Sequence, residues 1–196
     1  VYAISKDEET FAKRWYESMK EADDIFVLDT GSKDKTVDIL KKLGVNVKQV
    51  IIEPWRFDTA RNMSLEMVPY EECICVCTDL DEVFEIGWRK KLESIIKDCD
   101  RVKYNYIWSF DKYGNPEVNF YQEKIHKRKG YKWVNPVHEV LKCELEKEKI
   151  ITTDEITLKH YPDDKKSRSS YLPLLELAVK EEGTVANGDT AVIDFE

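Results

Sequence analysis

The chain lacks any long apolar run, since no window approaches the roughly 20 apolar residues that a membrane-spanning helix needs. It also lacks a secretory-type apolar segment, an initiating methionine and an excess of positive charge. The formal net charge of -8 argues against a nucleic-acid-binding surface, although a local basic run over residues 124–132 could still meet an anion. We therefore expect a soluble protein with no transmembrane segment and no nucleic-acid partner.

Zinc-type Cys-x-x-Cys spacing is absent from the five cysteines. Cys73, Cys75 and Cys77 occupy alternate positions, so they share one face if this segment is a strand. We interpret them as small buried hydrophobic residues in a reducing compartment. This interpretation predicts a cytoplasmic protein, with peripheral association with a membrane as the alternative.

The first half of the chain alternates apolar strand-like runs with amphipathic helical segments. Phe11, Trp15 and Met19, for example, recur at four-residue intervals on one helix face. This alternation is typical of βαβ units and predicts an α/β fold with a parallel sheet buried on both faces. The predicted strands are residues 1–5, 25–29, 45–52 and 72–78, and the predicted helices are residues 8–20, 36–42, 59–67 and 87–97.

The second half is rich in aromatic and β-branched residues. Residues 101–110 and 118–125, joined by the turn Tyr113-Gly114-Asn115-Pro116, predict a β-hairpin. Residues 139–145 and 155–161 predict further strands, and residues 167–181 predict a final helix.

The length suits one domain with a substantial core. We place this domain at residues 1–182, with a first half at 1–98 and a second half at 99–182. Residues 183–196 form a tail of uncertain origin. Its last six residues predict a strand, and the stretch resembles the start of the isomerase domain of trigger-factor-type chaperones, with a native edge strand as the alternative.

Polar residues follow three predicted strands at the point where each one ends. Ser5 ends the first, Asp29 ends the second, and Asp79 and Asp81 follow the fourth. Ligands of open α/β sheets bind beyond the carboxyl ends of the strands. Paired carboxylates at such an edge suit a hard divalent cation that also holds a phosphate.

Each of these residues also has a purely structural explanation. The Asp79-Leu80-Asp81 pair could be an acidic turn, and Asp29 could form an Asx turn that opens the next helix. Arg61 could clamp a diphosphate, pair with Asp58, or lie solvated on its helix.

Four segments, in this order, resemble family 2 glycosyltransferases of the GT-A fold. They are Ile4-Ser5-Lys6-Asp7-Glu8, Val27-Leu28-Asp29-Thr30-Gly31-Ser32-Lys33-Asp34-Lys35-Thr36, Ala60-Arg61-Asn62 and Asp79-Leu80-Asp81-Glu82. The segment Trp133-Val134-Asn135-Pro136-Val137-His138-Glu139 is similar to the Val-His-Glu segment of bacterial members. Thr30 departs from the pattern, because many relatives carry a second Asp there.

The resemblance implies a nucleotide-binding half with a mostly parallel sheet, followed by a mixed, β-rich acceptor half. It implies an inverting hexosyltransferase that moves a sugar from a nucleotide-diphosphate donor, above all a UDP-sugar, to an acceptor hydroxyl. The acceptor is unknown. The residues that the resemblance assigns to donor binding are Ser5, Asp29, Arg61 and Asp79.

The resemblance also implies Mn²⁺ or Mg²⁺ at Asp79 and Asp81, with Asp81 as the direct ligand. His160 is a further candidate ligand, with a structural role as the alternative. Glu139 is the expected general base, and an ordinary strand Glu paired with a Lys is its alternative. His138, beside it, is expected to orient the acceptor or touch the diphosphate.

Three aromatic residues of the second half, Tyr106, Trp108 and Trp133, could stack on a sugar ring or pack in the core.

Two other functions compete with this interpretation. Asp79-Leu80-Asp81-Glu82-Val83 also resembles the first motif of haloacid-dehalogenase-type phosphatases, with Asp79 as the nucleophile. That motif normally follows the first strand, whereas here three βα units precede it. The other competitor is a non-catalytic nucleotide-binding or sugar-binding module.

Overall fold

The computed structural model describes residues 1–162 and 172–182 of the chain. The strands are β1 (Tyr2–Ser5), β2 (Phe26–Asp29), β3 (Asn46–Gln49), β4 (Ile74–Thr78), β5 (Glu82–Phe84), β6 (Arg101–Phe110), β7 (Pro116–Lys127), β8 (Tyr131–Val134), β9 (Val140–Cys143) and β10 (Ile150–His160). The helices are α1 (Glu9–Met19), α2 (Thr36–Lys42), α3 (Phe57–Glu66), α4 (Trp88–Ile95) and α5 (Leu172–Glu182).

Every helix and strand predicted for the first half is present. Two short strands, β5 and β8, were not predicted, because runs of three and four residues are too short to show a periodicity. The predicted strand at 155–161 begins earlier, at Ile150, and a register shift between Thr153 and Thr157 interrupts its alternation. The tail at 183–196 and the start of the predicted last helix lie outside the described residues.

One eight-stranded sheet runs through both halves of the chain, in the order β3-β2-β1-β4-β7-β6-β10-β5. β1 pairs in parallel with β2 and β4, and β2 pairs in parallel with β3. β7 is antiparallel to both β4 and β6, which makes the sheet mixed beyond β4. The carboxyl ends of β1, β2 and β4 therefore lie side by side, as the sequence predicts.

Two apolar clusters cover the two faces of this sheet. One cluster, which includes Trp15, Leu40 and Tyr104, packs helices α1, α2 and α4 against the sheet. The other includes Tyr2, Cys75, Cys77, Leu65 and Trp133, and it packs α3 and the separate β8-β9 hairpin against the opposite face. None of the described helices is long and apolar enough to cross a membrane.

The cysteines behave as small apolar residues. Cys75 and Cys77 are buried, and burial raises the pKa of the Cys77 thiol to about 11, so this thiol stays protonated at neutral pH. Cys73 lies on the same side, with its sulfur 3.9 Å from that of Cys75. The prediction of buried apolar cysteines on one strand face is confirmed for Cys75 and Cys77, whereas Cys73 is half-buried and precedes β4.

Candidate functional site

Asp29 ties the ends of β1 and β2 together. The hydroxyl of Ser5 donates to Asp29 Oδ2 at 3.0 Å, and the amides of Gly31 and Ser32 donate to Oδ1 at 3.2 and 3.0 Å. The Ser32 hydroxyl also donates to Asp29, whose side chain is fully buried. The carboxylate thus fixes the shape of the loop that follows β2.

This loop requires a glycine at position 31. Gly31 has φ +105°, and a Cβ atom there would lie 2.7 Å from Cδ1 of Ile51. Asp29 forms an Asx-type turn but does not cap the next helix, because α2 begins at Thr36, whose amide donates to Asp34 instead. The alternative explanation of Asp29 is therefore right about the turn and wrong about the helix.

Asp79 lies between the buried Arg61 and the half-buried Lys124. Nη2 of Arg61 lies 2.6 Å from Asp79 Oδ1, and Nζ of Lys124 lies 3.3 Å from Oδ2. Burial by itself would raise the pKa of Asp79, but the charges of Arg61 and Lys124 outweigh it and hold the pKa well below its ordinary value. Both carboxylate oxygens therefore face cationic partners, and the group is ionised.

The amide of Asp79 donates to Glu82 Oε2 at 2.8 Å, which closes the turn after β4. Glu82 is almost fully buried, and burial raises its pKa above the ordinary value. Its other oxygen accepts a hydrogen bond of 2.8 Å from the hydroxyl of Tyr106 and lies 3.7 Å from Nζ of Lys124. Glu82 is therefore a structural element of the turn.

Arg61 joins the two halves of the chain. Its guanidinium is almost fully buried on α3, and Nε lies 3.0 Å from Oε1 of Glu139 while Nη2 reaches Asp79. Burial would lower the pKa of Arg61, yet the neighbouring acidic groups raise it well above the ordinary value. The pairing with Asp58 considered from the sequence does not form, because Asp58 pairs with Arg56 at 2.8 Å.

Glu139 and His138 lie in the turn between β8 and β9. Asn62 on α3 holds β8 through both backbone groups of Trp133, with hydrogen bonds of 2.8 and 2.9 Å. In this turn Asn135 and His138 have φ of 79° and 51°, values that side chains other than glycine rarely adopt. The docked hairpin brings Glu139 to Arg61 and leaves His138 exposed to solvent.

Asp81 and His160 come together at the end of β10. Nε2 of His160 lies 3.3 Å from Oδ2 of Asp81, and Nδ1 lies 3.1 Å from the carbonyl oxygen of Trp108. Burial lowers the pKa of His160, but the hydrogen bond to Asp81 outweighs it and raises the pKa above the ordinary value. The other oxygen of Asp81, Oδ1, is buried without any hydrogen-bond partner in the described part of the chain.

The unpartnered oxygen of Asp81 suits a divalent cation, and Nε2 of His160 can ligate the same cation once it releases its proton. Mg²⁺ usually takes one or two protein carboxylates together with substrate phosphates and water, and Mn²⁺ accepts the same oxygen ligands. Across residues 1–162 and 172–182, no three His, Cys, Asp or Glu side chains are placed to hold a metal by themselves. The residues present thus fit a metal that a phosphate ligand also coordinates, and Asp79 faces its cationic partners instead.

Lys124 also belongs to this group of residues, although the sequence did not predict it. It lies in β7, 45 residues beyond Asp79, inside a charged run. Burial would lower its pKa, but Glu82 and Asp79 raise it above the ordinary value. The only sequence signal was the local basic run at 124–132.

Of the three aromatic residues proposed for sugar stacking, two are buried and one is exposed. Tyr106 and Trp133 are each 2% exposed and pack in the core, as their alternative explanation predicts. Trp108 is 40% exposed and stacks on His160, with ring centroids 4.3 Å apart.

Comparison with solved structures finds the same fold. Staphylococcus aureus TarS matches 91% of this chain and 38% of its own, with 14% identity and a TM-score of 0.58. The S. aureus TarS 1–349 complex with UDP-GlcNAc matches 91% of this chain and 64% of its own, with 14% identity and a TM-score of 0.55. The chain therefore spans less than two thirds of the length of these proteins.

A third match is Mycobacterium tuberculosis glucosyl-3-phosphoglycerate synthase, in a complex with Mn²⁺, UDP and glucosyl-3-phosphoglycerate. It covers 53% of this chain and 42% of its own, with 20% identity and a TM-score of 0.41. A comparison with curated proteins gives no significant match. The family model "Glycosyl transferase family 2" matches residues 1–143. With the mixed sheet and the acidic pair at its carboxyl edge, this match shows that the chain belongs to glycosyl transferase family 2.

Proposed function

We propose that the protein transfers a sugar from a nucleotide-diphosphate sugar to an acceptor hydroxyl, with inversion at the anomeric carbon. The observation that carries the proposal is the buried, unpartnered oxygen of Asp81 beside Nε2 of His160, beyond the carboxyl end of β4. A UDP-sugar is our choice of donor, and the TarS complex with UDP-GlcNAc supports that choice. Family membership also argues against the phosphatase alternative.

We assign Asp81 and His160 as the protein ligands of Mn²⁺ or Mg²⁺. The bound cation would neutralise negative charge on the diphosphate leaving group. Asp79 keeps its pairs with Arg61 and Lys124, so that these two cations lie behind the turn to which we assign the diphosphate. In this arrangement Asp79 acts on the donor and the metal through its neighbours and water.

The nucleoside is assigned to the loops after β1 and β2. Ser5 and Asp29 are both buried, so we assign them to positioning the backbone of residues 30–32, which we propose contacts the nucleoside. This role needs the hydrogen bonds of Asp29 to Gly31 and Ser32 to persist when the nucleotide binds.

Glu139 is assigned as the general base that takes the proton of the acceptor hydroxyl. Arg61 holds Oε1 at 3.0 Å, which orients the carboxylate and leaves Oε2 for the proton. A general base in place contributes about 10²–10⁴-fold to rate. We assign the exposed His138, next to Glu139, to contact with the acceptor or the diphosphate.

A thermal-shift panel of UDP, GDP and ADP, each with and without Mn²⁺, tests the proposal. A nucleotide at 100 times its dissociation constant stabilises the folded state by about 2.7 kcal/mol, or about 5–10 °C for a chain of this size. We expect UDP with Mn²⁺ to give such a shift in the wild type and in Asp38→Ala, which removes an exposed carboxylate from α2. Asp81→Ala should lose the Mn²⁺-dependent part.

The same samples separate the competing functions. Absence of a response to every nucleotide diphosphate would refute the transferase proposal. Release of phosphate from a simple phosphomonoester, with no nucleotide sugar present, would favour the phosphatase. Tight nucleotide binding without turnover of any donor would favour a binding module.

A further inference from the structure

Aromatic side chains continue from the core to the surface along one face of β6 and β7. Tyr104 and Tyr106 alternate along β6 and share this face. Trp108 lies at a register shift between Ile107 and Ser109, and its ring centroid is 6.2 Å from that of Tyr106. The exposed fractions of Tyr104, Tyr106 and Trp108 are 0%, 2% and 40%. Phe120 on β7 pairs across from Tyr106, with ring centroids 5.2 Å apart, and is 45% exposed. Trp108 and Phe120 are thus the solvent-exposed end of a row whose inner members are buried.

This exposed end adjoins the candidate site. The indole of Trp108 stacks on His160 at 4.3 Å and an interplanar angle of 19°, and His160 contacts Asp81. Tyr106, which touches Phe120, donates its hydroxyl to Glu82 in the turn after β4. Two chains of direct contacts therefore connect the exposed rings to the acidic turn.

A polar group lies on the same face. Gln122 pairs across from Tyr104 and follows Phe120 by two residues, which places it beside that ring. Its side chain is half-buried, and within residues 1–162 and 172–182 its amide makes no hydrogen bond. The amide is therefore open to hydrogen bonds with a bound ligand, as donor through its N–H groups and as acceptor through its oxygen.

A pyranose ring matches this combination of groups. Its C–H face is apolar and packs on an aromatic ring, while its hydroxyl edge both donates and accepts hydrogen bonds, as an amide does. A purely apolar occupant such as a lipid tail would leave the Gln122 amide without a partner. Few polar groups set among aromatic rings are typical of small-molecule sites.

The geometry points to an acceptor-saccharide subsite formed by Trp108, Phe120 and Gln122. The inference rests on the proposed function, because it is the transfer reaction that calls for an acceptor beside Asp81 and His160. It assigns the acceptor to the carbohydrate class. A sugar residue lies against the Trp108 and Phe120 rings, and its hydroxyls bond to Gln122.

Titration of ¹⁵N-labelled protein with cellobiose, maltose and chitobiose tests the subsite without any donor. The indole signal of Trp108, assigned with Trp108→Phe, should shift saturably with at least one disaccharide. Phe120→Ala should weaken that affinity about tenfold, since an aromatic stacking contact contributes on this order. Tyr121→Ala is the matched control, because Tyr121 is 48% exposed and adjacent but pairs with Asn105 on the other face, and it should bind like the wild type.

The subsite is refuted if no disaccharide moves the Trp108 signal, or if Phe120→Ala and Tyr121→Ala bind alike. A shift caused only by phosphatidylcholine vesicles would overturn it in favour of contact with a lipid surface. The UDP and Mn²⁺ thermal shift, measured on the same variants, reports separately on the proposed function. Saccharide binding without nucleotide binding would support a saccharide site at Trp108, Phe120 and Gln122 and would refute the proposed transferase function.

Discussion

The chain should lose stability between about pH 7 and pH 4.5, and replacing His126 with glutamine should abolish much of that loss. His126 is fully buried, and its Nε2 lies 2.9 Å from the hydroxyl of Tyr2. That hydroxyl accepts the indole N–H of Trp133 at 2.9 Å, so its own proton goes to His126. On the other side of the ring Nδ1 lies 2.7 Å from the carbonyl oxygen of Lys127 and donates to it. A proton on Nε2 would therefore face another donor.

The magnitude follows from the pKa of His126, which burial lowers from 6.5 to about 3. Between these values the unfolded chain binds a proton that the folded chain does not. Stability that is present above pH 6.5 is therefore lost progressively as the pH falls towards 3. At pH 4.5, two pH units below the unfolded value, the loss is about 2.7 kcal/mol.

Urea unfolding at pH 7 and pH 4.5 measures this loss in the wild type, His126→Gln and His138→Gln. Comparing the two pH values within each variant removes the cost of the substitution itself. We expect His126→Gln to lose about 2–3 kcal/mol less than the wild type, whereas His138→Gln, at an exposed position, should follow the wild type. Equal losses in the wild type and His126→Gln would refute the reasoning.

Two further predictions concern the network around Arg61. Arg61→Met should lower the free energy of unfolding by about 3–5 kcal/mol, because Asp79 and Glu139 lose a buried cationic partner. Lys20→Met, which breaks the exposed pair with Glu17, is the control and should leave the urea midpoint of unfolding unchanged. An equally small effect of Arg61→Met would contradict the prediction. Glu139→Gln should lower kcat for sugar transfer about 10²–10⁴-fold and keep the UDP and Mn²⁺ thermal shift, with the exposed Glu144→Gln as control. Loss of nucleotide binding in Glu139→Gln would instead assign this residue to holding Arg61.

The two aspartates of the acidic pair have different surroundings. Asp79 is held by Arg61 and Lys124, so most of its charge is balanced inside the protein. Asp81 has one oxygen near His160 and one buried oxygen without a partner. The two carboxylates of one sequence motif thus differ in their partners, because both oxygens of Asp79 face cations while one oxygen of Asp81 has no partner in the described part of the chain.

The order of strands β1 to β4 and helices α1 to α4 in the first half, and the edge at which the site lies, could be predicted from the residue sequence alone. Both follow from local rules, because apolar periodicity defines each element and parallel strands share their carboxyl ends. The same reasoning named Ser5, Asp29, Asp79 and Asp81 at that edge, and the structure places all four there.

Which side chains meet at this edge depends on contacts between elements that are distant in the sequence. Lys124 reaches Asp79 because β7 pairs with β4, and Glu139 reaches Arg61 because Asn62 docks β8 on α3. These contacts join residues 45 and 78 positions apart, and no periodicity within a strand or helix encodes them. They depend on how the sheet and the hairpin pack, and that packing also separates the buried Tyr106 and Trp133 from the exposed Trp108.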